Sequence, residues 1–406
     1  MKVFRVVSQL SGVAAVLLAG CGQQGPGSNL SPSTPTPGSQ ACTPAVKPEF
    51  AYVLTGYSVS IFGVDTCSGQ FSASTPASIA TGNPSAEEGA EEMVVDPLGR
   101  FAYVANLVSN ASDLATISMY TVNPSTGVLT PTTPATVPTG FFPQEIAVDP
   151  LGRFVYTANS DDSSVSMFTI NQTNGVLTPT APAAVSTMLP GQLVSEPGFL
   201  TVDPTGKFLY VGTSNSDGAT VLMFNIDQKT GALTPTSPAT VVAYGIPFQI
   251  VVTPSGKFAY AVNNLSGPGD GNAVSQYSVN STTGVLTLNT SFAVTAGDGP
   301  TSLAVDPSSK YAYVVNRLDG TVSMYTINQT TGQLALNATA ANPSGTVRAG
   351  ALPFRINFDR TGRLVYVTNE DSPEAVFTVN NDGTLTSAGT TGVAGGAYAT
   401  AFSGGD

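Results

Sequence analysis

A phrase of twelve residues returns along this chain and constrains its fold more than any other feature. V-D-P-L-G-R-F-A-Y-V-A-N at 95–106 reappears as V-D-P-L-G-R-F-V-Y-T-A-N at 148–159, V-D-P-T-G-K-F-L-Y-V-G-T at 202–213 and V-T-P-S-G-K-F-A-Y-A-V-N at 252–263. Two more copies follow, V-D-P-S-S-K-Y-A-Y-V-V-N at 305–316 and F-D-R-T-G-R-L-V-Y-V-T-N at 358–369. A truncated seventh copy, E-F-A-Y-V-L-T at 49–55, opens the series. A period of some 50 to 54 residues means that like units stack and share a buried core.

Each unit carries four strand signals, with apolar alternation and β-branched or aromatic enrichment. In the third unit they are 145–149, 153–159, 164–171 and 175–180. Asp-Pro-x-Gly, as in Asp149-Pro150-Leu151-Gly152, suits a type I turn followed by a residue at positive φ. Asn171-Gln172-Thr173-Asn174-Gly175 and its relatives suit a hairpin between the third and fourth strands. Four strands repeated seven times predict an all-β, seven-bladed β-propeller. A solenoid is the rival arrangement. The opening copy lacks the strand before its Asp position, and residues 397–403 match 353–359 in place. The C-terminal strand is therefore expected to complete blade one and close the ring, leaving no open sheet edge.

Composition excludes several functions. With no His among 406 residues, there is no Ser-His-Asp triad, no His-ligated zinc and no His general base. A net charge of −12 without a basic patch argues against nucleic-acid binding.

The first residues read as an address. Lys2 and Arg5 precede a short apolar run, Val13 to Leu18, too short for a membrane span. Leu18-Ala19-Gly20-Cys21 resembles the lipobox of bacterial lipoproteins, and the resemblance implies cleavage before Cys21 and a lipid on its thiol. Residues 1–20 are then a signal peptide, and 21–46, rich in Pro, Ser, Gly and Thr, a tether. The propeller takes 47–406, at the envelope outside the cytoplasm and held to the membrane by the lipid alone. That compartment permits a Cys42–Cys67 disulfide, with two free thiols as the alternative.

Tyr366-Val367-Thr368-Asn369, with Tyr103-Val104-Ala105-Asn106 and Tyr313-Val314-Val315-Asn316, resembles the YVTN repeat. The whole unit is similar to the seven-bladed lactonase family, which includes 6-phosphogluconolactonase, over about residues 48 to 406. The resemblance implies the propeller and, as an activity, the opening of a lactone. Family enzymes resemble one another in a Pro-His at the start of the innermost strands; this chain carries Glu, Gln, Gly, Phe, Thr, Phe and Tyr there.

Those starts ring the expected channel. They read Glu91-Glu92, Gln144-Glu145, Gly198-Phe199, Phe248-Gln249, Thr301-Ser302, Phe354-Arg355 and Tyr398-Ala399. Glu92 and Glu145 are candidate catalytic carboxylates, since paired acids raise one another's proton affinity. Arg355 is the candidate for substrate carboxylate or oxyanion. Gln144, Gln249 and Arg317 are candidate substrate contacts, and Phe199, Phe248, Phe354 and Tyr398 a candidate apolar wall. Solvated loop charge is the alternative for the acids.

Other residues take plainer readings. The repeated Asp (96, 149, 203, 306, 359) caps its own turn rather than a metal. The repeated Tyr is core, and the Asn ending each second strand bonds its own loop. The run Glu87, Glu88, Glu91 and Glu92 matches no calcium loop, and 269–272 is a plain connection. No metal and no cofactor are expected.

Two functions remain. One is a binding or scaffold module presenting the channel mouth to a small molecule, a glycan or an envelope protein. The alternative is a lactonase-like hydrolase of sugar or related lactones.

Overall fold

The computed structural model describes residues 47–82, 89–107, 115–215, 218–264, 272–289, 294–393 and 395–404. Cys21, Cys42, the signal peptide, residues 21–46, Glu87, Glu88 and 269–271 lie outside them. Among the described residues no helix is present, and none is long and apolar enough to cross a membrane.

Seven antiparallel sheets of four strand positions follow one another around a ring. Six are continuous in sequence, blade two running from Ala90–Val95 through Phe101–Asn106 and Thr116–Val122 to Leu129–Pro138. Blade one is assembled from both ends of the chain. Its innermost strand, Ala399–Gly404, pairs with Glu49–Thr55 in the register Leu54↔Ala399, Tyr52↔Ala401, Phe50↔Ser403. The expected closure is therefore what the chain does.

Apolar cores fill the spaces between neighbouring blades. Tyr156 of blade three, for instance, packs with Leu200, Leu209 and Phe224 of blade four. One polar latch repeats around the ring. The Tyr103 hydroxyl donates to Gly175 O in the next blade's hairpin at 2.9 Å, and Tyr52, Tyr156, Tyr210, Tyr260 and Tyr313 do the same at 2.7–2.9 Å. Tyr366 closes the circle onto Gly69 O at 3.4 Å. A second latch is unexpected. The amides of Leu177, Leu233, Leu286 and Leu385 donate to Met119, Met167, Met223 and Met324 Sδ, and blade five substitutes Gln276 Oε1.

The Asp residues cap their turns as expected. Asp149 Oδ1 accepts from the amides of Arg153 and Phe154, and Arg153 Nε donates to Asp149 Oδ2 at 2.9 Å. The turn needs positive φ at its fourth residue, and Ser309 holds it (φ 59°) where other blades use Gly. The Asn residues divide: Asn369 Nδ2 donates to Pro373 O in its own loop at 2.8 Å, as expected, whereas Asn106, Asn159 and Asn316 reach third-strand hydroxyls. Asn159 Nδ2 donates to Ser164 and Ser166 Oγ at 3.1 and 2.9 Å, and Asn316 to Thr321 and Ser323. In those blades Asn ties two strands together. In blades one to four the outermost strands are also longer than the sequence suggests, Leu177–Ser186 instead of ending at 180, whereas blades five and six break theirs into Leu286–Leu288 with Val294–Thr295 and Leu334–Leu336 with Thr346–Arg348. A register shift between Ser166 and Phe168 lets the pairing resume beyond Pro182, which has no N–H to give.

Candidate functional site

The innermost strands share a defect that builds the site. Each of blades two to seven shifts register where its innermost strand begins, at Ala90/Glu92, Pro143/Glu145, Pro197/Phe199, Pro247/Gln249, Pro300/Ser302 and Pro353/Ile356. A bulge re-aims the side chain beside it. Counting from the repeated Tyr, the equivalent positions are Glu92, Glu145, Phe199, Gln249, Ser302, Arg355 and, in blade one, Ala399. Glu92, Glu145, Gln249 and Arg355 line one cavity of about 320 Å³ in the channel, which continues past Asn357 and Arg360.

Arg355 crosses the throat. Its Nη2 lies 2.6 Å from Glu92 Oε2 and 3.0 Å from Glu145 Oε2, joining blade seven to blades two and three. Between blades seven and two the equivalent position, in blade one, is the small Ala399. The guanidinium is flanked by Phe199, 5.2 Å from its ring centroid, and Phe354, at 5.8 Å. Phe248 packs against Phe199 at 6.0 Å. About a tenth of each charged side chain is exposed, 10% for Glu92 and Arg355 and 13% for Glu145.

Burial in this aromatic collar pushes Glu145 up to about 8; Arg355 pulls it down, and Glu92 adds to the rise. Burial also raises Glu92, against Arg355 and the Met93 N–H that donates to its Oε1 at 3.1 Å. Arg355 stays charged, because the two carboxylates outweigh its own desolvation. The throat thus holds a fixed cation beside a carboxyl whose proton affinity burial lifts well above the usual carboxylate range. Such a pair suits proton transfer beside a developing negative charge.

The remaining expected contacts divide. Phe199, Phe248 and Phe354 stand at the throat. Gln144 is half-buried at the bulge of blade three, and Tyr398 half-buried beside the mouth, where Glu91 and Glu370 add to the rise that burial gives its hydroxyl. Gln249 lines the cavity but is held there, its Oε1 accepting from Ser302 Oγ at 3.0 Å and the Leu303 amide at 2.6 Å. Arg317 is held by Glu370 in a bidentate pair at 2.8 and 2.7 Å.

Glu374 was not anticipated. It is buried at 1% exposure with one oxygen accepting from Thr400 Oγ1 at 2.7 Å, and burial raises it to about 7. The repeat held the signal, since Glu374 stands where blades three and six carry Val165 and Val322. Among the described residues no group of three or more metal-ligating side chains occurs. The Cys67 amide donates to Asp65 Oδ1 at 2.8 Å in the first hairpin, and its pairing with Cys42 stays a proposal because Cys42 is outside the described residues.

Known proteins agree with this architecture. A candidate 6-phosphogluconolactonase from Bacteroides uniformis superposes with a TM-score of 0.69 at 23% identity, over 87% of this chain and 99% of its own. The periplasmic gluconolactonase of Pseudomonas aeruginosa gives 0.67 at 18% identity, over 88% and 100%. At these identities the likeness is one of fold. No protein in a search of curated sequences matches. The sequence profile of the seven-bladed β-propeller lactonases matches residues 43–188 and 246–349, well over half of the chain. The chain belongs to the seven-bladed β-propeller lactonase family.

Proposed function

We propose that the protein hydrolyses a lactone, opening the ring of a sugar acid or a related cyclic ester at the throat of its propeller. The observation that carries this reading is the Glu92–Arg355–Glu145 cluster, set in the channel of a lactonase-family fold. Glu145 takes a proton from water as the water oxygen bonds to the carbonyl carbon. The carbonyl electron pair moves onto oxygen, where the Arg355 guanidinium stabilises it. Collapse breaks the ring C–O bond, and the proton on Glu145 passes to the leaving oxygen. The product is a hydroxy acid. Glu92 holds Arg355 in place, and the Phe199, Phe248 and Phe354 rings cover the face of the bound ring.

Family membership and the poised carboxyl favour this reading over a module that only binds a partner at the mouth. The gluconolactonase neighbour makes aldonolactones the first substrates to assay. Ring opening well above the rate in buffer, falling about 100-fold or more in Glu145→Gln, is the expected result. Wild-type protein no faster than buffer, with tight retention of an envelope glycan or protein, would favour the binding module. The lipid on Cys21, the tether and the Cys42–Cys67 bond belong to the same proposal of an envelope protein outside the cytoplasm. Intact-mass measurement on the membrane-extracted protein checks all three.

A further inference from the structure

The two faces of the ring carry different charge. Turns between first and second strands, and hairpins between third and fourth, lie on one face; the remaining connections lie on the other, where the throat opens. On the face away from the throat, the described residues supply nine carboxylates and nine Lys or Arg. Asp96 pairs with Arg100 within one turn at 2.9 Å, and Asp149 with Arg153 at 2.8 Å. The throat face holds eleven carboxylates against three arginines.

None of those arginines is left to receive an anion at the mouth. Arg355 is bound by Glu92 and Glu145, and Arg317 by Glu370. Arg348 ends the outermost strand of blade six, at the perimeter. Asp161, Asp162, Asp298, Asp319 and Asp371 are exposed on the same face. The Arg317–Glu370 pair stands close to the throat. Glu370 and Glu91 both act on the Tyr398 hydroxyl, and Glu91 acts on Arg355 as well. A field of one sign over a cleft raises or lowers the local concentration of a charged ligand by an order of magnitude or more.

We propose that the throat selects uncharged lactones over lactones bearing a phosphate or carboxylate, and that Glu370 sets this selectivity by occupying the rim arginine, Arg317. The proposal rests on the hydrolase reading. An anionic substituent meets exposed aspartates at the mouth and finds no unpaired cation there, Arg360 lying deeper in the cavity and held by the carbonyls of Asp96, Pro97 and Phe402, whereas an uncharged ring meets no repulsion and finds the aromatic wall.

The test compares kcat/KM for glucono-lactone and its 6-phosphate ester at low and high ionic strength, in wild-type protein and in Glu370→Gln. The expected preference is about tenfold or more for the uncharged lactone at low salt, shrinking to within a few fold at about 0.5 M salt as charges are screened. Glu370→Gln releases Arg317 and narrows the low-salt preference several-fold, by a gain on the phosphate ester. Asp371→Asn, at an exposed position, narrows it less and in the same direction. A preference for the phosphate ester, or a ratio indifferent to salt and to both substitutions, overturns the charge selection while leaving the hydrolase standing. Hydrolysis of neither lactone overturns the hydrolase reading and this inference with it.

Discussion

Arg355 carries two contacts through one nitrogen, and both partners are as buried as it is. Removing the cation from such a cluster leaves carboxylates with neither water nor a counter-charge, a loss of about 3–5 kcal/mol in comparable buried pairs. Arg355→Met is expected to lose stability of that order at about pH 8, and markedly less at about pH 5, because raised carboxyls such as Glu145 are then neutral in the folded state. Denaturant unfolding at the two pH values checks both the size and the sign. The three residues were legible as candidates because the repeats align, so equivalent positions could be read off seven copies. Their meeting was not legible. It depends on Ala399 being small in the blade between, and on an arginine long enough to cross a ring. Arg317 shows the opposite case. Its partner Glu370 lies 53 residues on, one repeat period away, so an aligned pair of opposite charges was available as a signal that the rim arginine is neutralised.

The strands of one blade reach the next through side chains that the repeat preserves. The Tyr hydroxyl latch is a neutral hydrogen bond to a carbonyl, worth about 1 kcal/mol net when buried. Tyr103→Phe is expected to cost about that much in equilibrium unfolding. Tyr366→Phe should cost less, since its contact to Gly69 O is 3.4 Å against 2.9 Å for Tyr103; an equal or larger loss at Tyr366 would contradict the latch geometry. The glycine side of the latch is tighter still. A Cβ on Gly175 would come within 2.4 Å of the Phe101 ring at a φ of +75°, so the hairpin needs glycine for space as well as for conformation. Turn chemistry and strand alternation announced most of these elements. Strand lengths were less legible, because a register shift beside Phe168 carries the pairing past prolines that read, in sequence alone, as a stop. The methionine latch escaped notice for a simpler reason: a thioether on an apolar strand reads as core packing and gives no hint that its sulfur accepts an amide.

The whole molecule depends on its two ends meeting. Deleting residues 397–406 exposes Glu49–Thr55 as an unpaired edge and opens the inter-blade cores that Ala399 and Phe402 complete. The shortened protein is expected to lose its cooperative unfolding transition or to aggregate, measured by thermal scans and light scattering; a transition unchanged from the full chain would contradict ring closure. Closure also brings the bulged starts of the innermost strands onto one axis, and it is there that fold becomes chemistry. The pH dependence of kcat/KM for an uncharged aldonolactone is the most direct test. A general base at Glu145 predicts a rate that rises through an apparent pKa near the value of about 8 set by its burial, and a rising limb that vanishes in Glu145→Gln. Protein that adds nothing to the buffer rate, or a Glu145→Gln variant that follows the same profile at the same rate, would contradict it.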